Sequence, residues 1–143
     1  MASDQHQIIS GLIVRRMKFQ GYTEICSFDG MVRDGYFSEY NSPVTIGRHR
    51  PDCISFNPMT GKYILGEAKT LADLYSERTR EELEDFTGCC LRYDEFDKVI
   101  FGIPSNAEAV ALKIIQSLPA ENKNKIELFK YYEAIDEESE FFS

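Results

Sequence analysis

The stretch from Arg50 to Thr70 limits the fold more than any other part of the chain. Two β-rich apolar runs, Cys53 to Phe56 and Tyr63 to Leu65, flank Asn57-Pro58-Met59-Thr60-Gly61, a cluster of turn formers, and this pattern reads as a β-hairpin. The outer ends of an antiparallel hairpin lie side by side, so Asp52, just before the first strand, should meet Glu67, Ala68 and Lys69 at the end of the second. Side chains alternate along a strand, which sends Glu67 and Lys69 to one face and Ala68 to the other. Two carboxylates and one ammonium, far apart in sequence, are thereby expected to converge.

That grouping has a chemical meaning. Carboxylate oxygens suit Mg²⁺ or Mn²⁺, which keep several waters and often bind a substrate phosphate as well. A metal so held lowers the pKa of a bound water, while an ammonium beside it orients the nucleophile or meets the developing negative charge. Phosphodiester hydrolysis needs these parts. With Pro51-Asp52 followed by Glu67-Ala68-Lys69, the chain resembles the PD-(D/E)XK nuclease superfamily. The resemblance implies a restriction-endonuclease-like α/β fold, a three-layer core with a central mixed β-sheet flanked by helices. It also implies a Mg²⁺- or Mn²⁺-dependent nuclease acting on DNA in repair, recombination, restriction or phage and mobile-element biology. Asp52, Glu67 and Lys69 would be catalytic, with Asp52 and Glu67 holding the metal and the carbonyl of Ala68 as a third ligand. A homodimer is expected, as for the junction resolvases of the superfamily.

The chain departs from the family pattern in the first helix, expected over about Asp4 to Phe19. Many members carry a Glu there that approaches the metal, and this segment has none. RecB-like relatives place a His near this helix instead. His6 is either that metal-side residue or an exposed residue of an N-terminal turn, with Gln7 and Ser10 as weaker substitutes. The same relatives carry a Gln-x-x-x-Tyr motif on the helix after the hairpin; here Tyr93 follows Cys89, not Gln, at that spacing.

Hydrophobic periodicity lays out the remaining elements. Ile8, Ile9, Leu12, Ile13 and Met17 form an apolar stripe on the first helix, with Gln7, Ser10, Arg15 and Lys18 elsewhere on the wheel, and Gly21 ends it. Tyr22 to Phe28 reads as a strand. Asp29 to Arg48 is a long connection, with a short strand expected near Pro43 to Ile46 and with Tyr36, Phe37 and Tyr40 suited to packing or to stacking on bases. A helix follows over Glu77 to Tyr93, with Thr79 and Glu82 as a capping box, Leu83, Phe86, Cys90 and Tyr93 as its buried stripe, and Glu81, Glu82, Glu84 and Asp85 as a solvated face. Lys98 to Ile103 is a continuous apolar strand, Val-Ile-Phe-Gly-Ile, of the kind buried on both faces. Ser105 is placed to cap a helix over Asn106 to Leu118, which Pro119 stops, and Ile126 to Tyr132 reads as an edge strand. The order α-β-β-β-α-β-α-β matches the nuclease core, with one domain over residues 1–131 and an acidic tail over 132–143.

The formal charge is −8, which argues against a protein that coats nucleic acid by bulk electrostatics. Five of the acidic residues lie in the tail, however, leaving a net −3 for the body. Local basic clusters can still grip a phosphate backbone. Arg48 and Arg50 adjoin Asp52 and are expected to contact phosphate, whereas Arg15, Arg16 and Lys18 read equally as a solvated helix face. The four cysteines have no C-x-x-C pair, which suggests buried free thiols rather than zinc, a disulfide framework or the iron-sulfur cluster of some RecB-like relatives. No segment approaches the roughly 20 apolar residues of a membrane span, and no leader pattern opens the chain, so a cytoplasmic protein without a membrane partner is expected. Two other readings stay open: a catalytically inactive module that binds nucleic acid or assembles with protein, and an accidental motif in which Asp52 caps a loop while Glu67 and Lys69 form an ion pair.

Overall fold

The computed structural model describes residues 4–28 and 44–132. Tyr36, Phe37, Tyr40 and the acidic tail from Glu133 onward lie outside the described residues. In order, the elements are α1 (Asp4–Phe19), β1 (Glu24–Phe28), β2 (Cys53–Asn57), β3 (Lys62–Ala68), a 3-10 turn (Ala72–Tyr75), α2 (Glu77–Arg92), β4 (Phe96–Pro104), a second 3-10 turn (Ser105–Ala107), α3 (Glu108–Gln116), α4 (Ala120–Lys123) and β5 (Ile126–Tyr131). The strands form one sheet in the order β1-β2-β3-β4-β5. The first three pair antiparallel, and β3, β4 and β5 are parallel. The fold is therefore α/β with a mixed sheet. Among the described residues no helix is long and apolar enough to cross a membrane.

The expected hairpin forms, and its turn chemistry accounts for it. Asn57 Oδ1 accepts from the Met59 N–H at 2.9 Å, and the Gly61 N–H closes back onto Asn57 O at 2.8 Å. The pairing runs Cys53 with Gly66 through Asn57 with Lys62. Because side chains alternate, Ile64 and Ala68 face α1 together with Cys53 and Ile100, while Leu65 faces α2 together with Ile54, Phe86 and Val99. Phe101 and Ile103 continue that second face under Leu83 and Ala111. The result is three layers, with α1 on one side of the sheet and α2 and α3 on the other.

The α1 layer sits unusually close to the sheet. A Cβ on Gly66 would come within 2.7 Å of Met17 Cε and 2.8 Å of Ile13 Cγ2, and one on Gly102 would meet Ile13 Cδ1 at 2.6 Å and Ile9 Cγ2 at 2.8 Å. Ile9, Ile13 and Met17 are fully buried as a consequence, each contributing about 1.5–3 kcal/mol of apolar burial. The far end of the same layer is tied by charge. Glu127 of β5 receives Arg16 at 2.6 Å, Lys98 at 2.7 Å and the Gln20 amide at 2.9 Å. Burial alone would raise the Glu127 pKa, but these partners hold it down to about 2.

Several local expectations change. Ser10, read as off the stripe, is buried and donates to His6 O, while Ile8 is largely exposed. The helix α1 has slightly rotated so that Val14 takes the core position. The N-cap of α2 is Ser76, which accepts from the Arg78 N–H; the hydroxyl of Thr79 instead donates to Asp73 O at 2.9 Å, so no Thr79–Glu82 capping box exists. Tyr93 is 51% exposed at the C-terminus of α2. It lies off the buried stripe because the helix has already ended. Ser105 makes no side-chain cap; it opens a 3-10 turn before α3. Cys26 is exposed on β1, and the other three cysteines are buried. Around residue 46 there is a single bridge, Ile46 to His49, rather than a strand.

Two stability measurements follow from this packing. Gly102→Ala should cost about 1–3 kcal/mol in denaturant unfolding, because rigid helix side chains occupy the space, whereas Gly88→Ala within α2, where nothing lies within 4 Å, should gain about 0.5–1 kcal/mol. Glu127→Gln should cost about 1–3 kcal/mol at neutral pH. Since the folded pKa lies below the ordinary 4.5, this contribution is present above pH 4.5 and is lost as the pH falls towards 2. The stability gap between wild type and Glu127→Gln should close over that window.

Candidate active site

The ends of the hairpin do meet. The Asp52 N–H donates to Gly66 O at 2.9 Å and to Glu67 Oε1 at 3.2 Å, and the Ala68 N–H donates to Asp52 Oδ2 at 2.7 Å. Asp52 is thus oriented by the strand that carries Glu67. Lys69 continues the ladder through its N–H to Gly102 O, and its Nζ returns to lie 3.5 Å from Glu67 Oε2. Ala68 points its side chain into the α1 layer and is fully buried, as the period of two requires.

Two further elements close the site. The helix α1 runs antiparallel to β3 and β4, with Met17 near Gly66 and Ile9 near Gly102. Its N-terminus therefore overhangs the carboxyl ends of the parallel strands, where open α/β sheets commonly bind ligands. That overhang brings His6 Nε2 to 3.3 Å from Asp52 Oδ2. From the opposite layer, α2 inserts Glu82, whose Oε1 accepts from Lys69 Nζ at 2.9 Å and lies 3.3 Å from Arg78 Nε. These groups form one wall and the floor of an open cleft of about 750 Å³, with Arg50, Asp73 and Thr45 on the remaining sides.

Burial sets the electrostatics. Glu67 is 2% exposed and Glu82 3%. Burial, then the Asp52 charge and the contact with Glu82, push the Glu67 carboxyl well above the usual range. Glu82 goes the other way: burial opposes its charge, but Glu67, Lys69 and Arg78 together hold it low. Asp52 is likewise held low against burial, by the hydrogen bond with His6 and by its contacts with Glu67 and the Ala68 N–H. The same bond raises the His6 imidazole. Burial would lower Lys69, yet Glu67 and Glu82 outweigh it and keep the ammonium charged.

Asp52, Glu67, Lys69 and His6 therefore come together, and His6 is not the exposed turn residue of the alternative reading. Arg50 is exposed and lines the cleft. Arg48 also reaches the cleft wall, but its guanidinium is occupied by Asp85 at 2.9 Å, Glu84 at 3.5 Å and Glu81 at 3.7 Å, with its backbone N–H on Asp85 as well. Arg48 is thereby clamped onto α2. The face of α2 read as solvated is accordingly engaged: Glu81, Glu84 and Asp85 hold Arg48, and Glu82 is in the core of the site. Glu82, Arg78 and Asp73 were not among the expected site residues. A signal for Glu82 was present, since Thr79, Glu82, Leu83 and Phe86 share one helical face.

Among the described residues no group of three or more His, Cys, Asp or Glu is arranged to hold a metal. The donor set nevertheless suits one hard cation. Asp52 and Glu67 present oxygens side by side, and a divalent ion held there would offset the burial and the neighbouring Asp52 charge that push the Glu67 carboxyl up. With two carboxylates as protein ligands, water would complete the shell, which is how Mg²⁺ is commonly held.

Removing the ammonium should expose this burial cost. Lys69→Met should cost about 3 kcal/mol at pH 8, because Glu67 then remains buried without a cation and Glu82 keeps only Arg78. At pH 5 the loss should be smaller, since the carboxyls take up a proton instead; chemical unfolding at the two pH values measures the difference. Set against known proteins, the chain matches no family model, no curated protein and no solved structure.

Proposed function

We propose that this protein is a metal-dependent nuclease of the PD-(D/E)XK type, with a restriction-endonuclease-like core, that hydrolyses phosphodiester bonds in DNA. The observation that carries the reading is the meeting of Asp52 and Glu67 at one end of a hairpin, with Lys69 Nζ 3.5 Å from Glu67, on the floor of an open cleft. Asp52 and Glu67, with the Ala68 carbonyl that the resemblance adds, would hold Mg²⁺ or Mn²⁺, which when bound lowers the pKa of a water and neutralises phosphate charge. His6 fixes the orientation of Asp52 from outside the ligand pair. Lys69 stays an ammonium, so its work is to orient the attacking water and meet the charge that develops on the phosphate, not to take a proton. Arg50 contacts the phosphate backbone at the rim. One cleft cuts one strand, so a double-strand cut would require a second copy of the chain, which is the physical reason for proposing a homodimer.

A competing reading, an inactive binding or assembly module, is favoured by one observation. Asp52 Oδ2 already accepts from the Ala68 N–H, and Lys69 already answers the charge of Glu67 and Glu82, so the cluster is stable without a metal.

Cleavage of supercoiled plasmid, linear duplex, single strand and four-way junction, each with Mg²⁺, Mn²⁺ or chelator, separates the two. Wild type should cut at least one substrate in a chelator-sensitive manner, and Asp52→Asn and Lys69→Ala should slow cutting by about 10²-fold or more. Cutting that is equally fast in both variants, or insensitive to chelator, would sink the nuclease reading. Binding without cutting on the same panel would favour the inactive module.

A further inference from the structure

We propose that Glu82 is a positioning residue for Lys69, acting from α2 to hold the ammonium over the Asp52–Glu67 pair; this rests on the nuclease reading above. A lysine side chain carries about 2 kcal/mol of rotamer entropy, and in an open cleft its head would sample many positions. Here it does not have to. The Nζ lies 2.9 Å from Glu82 Oε1 and 3.5 Å from Glu67 Oε2, so the shorter contact is to the carboxylate on the helix. Two fixed oxygens, one from β3 and one from the helix packed on it, determine where the ammonium sits better than the strand alone would.

Glu82 is itself held. Arg78, four residues earlier, reaches its Oε1 at 3.3 Å. The first turn of α2 is locked by the Ser76 cap and by Thr79 Oγ1 donating to Asp73 O. A carboxylate that is 3% exposed on the buried face of α2, beside Leu83 and Phe86, gains nothing for packing that a leucine would not supply better, since buried ion pairs are often no more stabilising than apolar residues of similar volume. What Glu82 offers that a leucine does not is a directed acceptor for Lys69. A displacement of about 1 Å of a catalytic group can cost about 10²-fold in rate, which is enough to retain a buried charge.

The test compares wild type, Glu82→Gln, Glu82→Ala, Lys69→Ala and the Lys69→Ala/Glu82→Ala double variant. Three quantities are read: plasmid cutting with Mn²⁺, melting temperature, and acetylation of individual lysines followed by mass spectrometry. Glu82→Ala should lower kcat by about 10–10²-fold with KM for DNA little changed, and Glu82→Gln, which keeps an acceptor oxygen, should recover most of the loss. In the Lys69→Ala background, Glu82→Ala should cause no further loss, because both act through one group. Lys69 should become more readily acetylated in Glu82→Ala while Lys62 and Lys113 do not change. Glu82→Met, which fills the volume, replaces Glu82→Ala if the latter does not fold. Full cutting by a folded Glu82→Ala or Glu82→Met, an equal loss in both backgrounds, or unchanged acetylation of Lys69 would each overturn the proposal. A wild type that cuts no substrate overturns the nuclease reading itself, and the positioning role falls with it; a cutting wild type with an indifferent Glu82 overturns the positioning role alone.

Discussion

The close approach of α1 to the sheet at Gly66 and Gly102 is the constraint on which the site depends. Only residues without a Cβ leave room there for Ile9, Ile13 and Met17, and that contact fixes both the axis and the direction of the helix. The N-terminal turn is then carried past the ends of β3 and β4, and His6 arrives beside Asp52. A helix held farther from the sheet by larger side chains at 66 and 102 would pass above Asp52. The packing of glycine against isoleucine, remote from any reacting group, thus decides whether the histidine belongs to the site. Glu127 fixes the opposite end of the same helix through Arg16 and Gln20, so the overhang is held at both ends.

The second determinant is the uneven way burial is compensated across the carboxylates. Asp52 has a backbone N–H and an imidazole, Glu82 has Lys69 and Arg78, and Glu67 has Lys69 at the longer distance together with two acidic neighbours. Glu67 is consequently the carboxyl that burial, and then the Asp52 charge, push up. A cluster of this kind is stable as folded and still has a use for one more positive charge, which distinguishes it from a surface ion pair whose partners are satisfied by water. The accidental-motif reading has the Asp52 and Glu67 carboxylates standing apart; here the Asp52 N–H donates to Glu67 Oε1, so the two residues are neighbours.

Local pattern carried the sequence reading as far as the hairpin, the order of helices and strands, the buried run Val99 to Pro104 of β4 and the edge position of β5, because each of these depends on turn residues and on a periodicity that neighbours in sequence already display. It brought Asp52, Glu67 and Lys69 together for the same reason. It missed Glu82 and the pairing of Arg48 with α2 because both are decided by how α2 is rolled against the sheet, and that roll depends on contacts between residues more than thirty positions apart, such as Gly47 and Arg48 with Asp85. The Thr79–Glu82 spacing satisfied a capping box as a pattern, but the helix starts three residues earlier at Ser76, which turns Thr79 inward and sends Glu82 to Lys69. His6 was undecidable from sequence, since nothing in α1 itself records the glycines on which it rests.

The balance of charge in the cleft bears on how it would meet a polyanion. Four acidic and four basic side chains line it, Asp52, Glu67, Asp73 and Glu82 against Arg48, Arg50, Lys69 and Arg78. Among these eight side chains the cleft has no formal positive surplus. Arg48 is further offset by Glu81, Glu84 and Asp85 behind it, and the chain as a whole is at −8. A phosphate approaching this surface gains little from long-range attraction, in contrast to proteins that steer nucleic acid with a broad basic field. On the nuclease reading, a divalent cation on Asp52 and Glu67 would turn the balance positive at the place where the phosphate must sit. Cation and DNA would then each strengthen the binding of the other by the same factor, as thermodynamic linkage demands. The acidic composition that argues against nonspecific coating of DNA is therefore compatible with a site in which substrate affinity depends on the metal, and it ties recognition to the residues that would perform the chemistry.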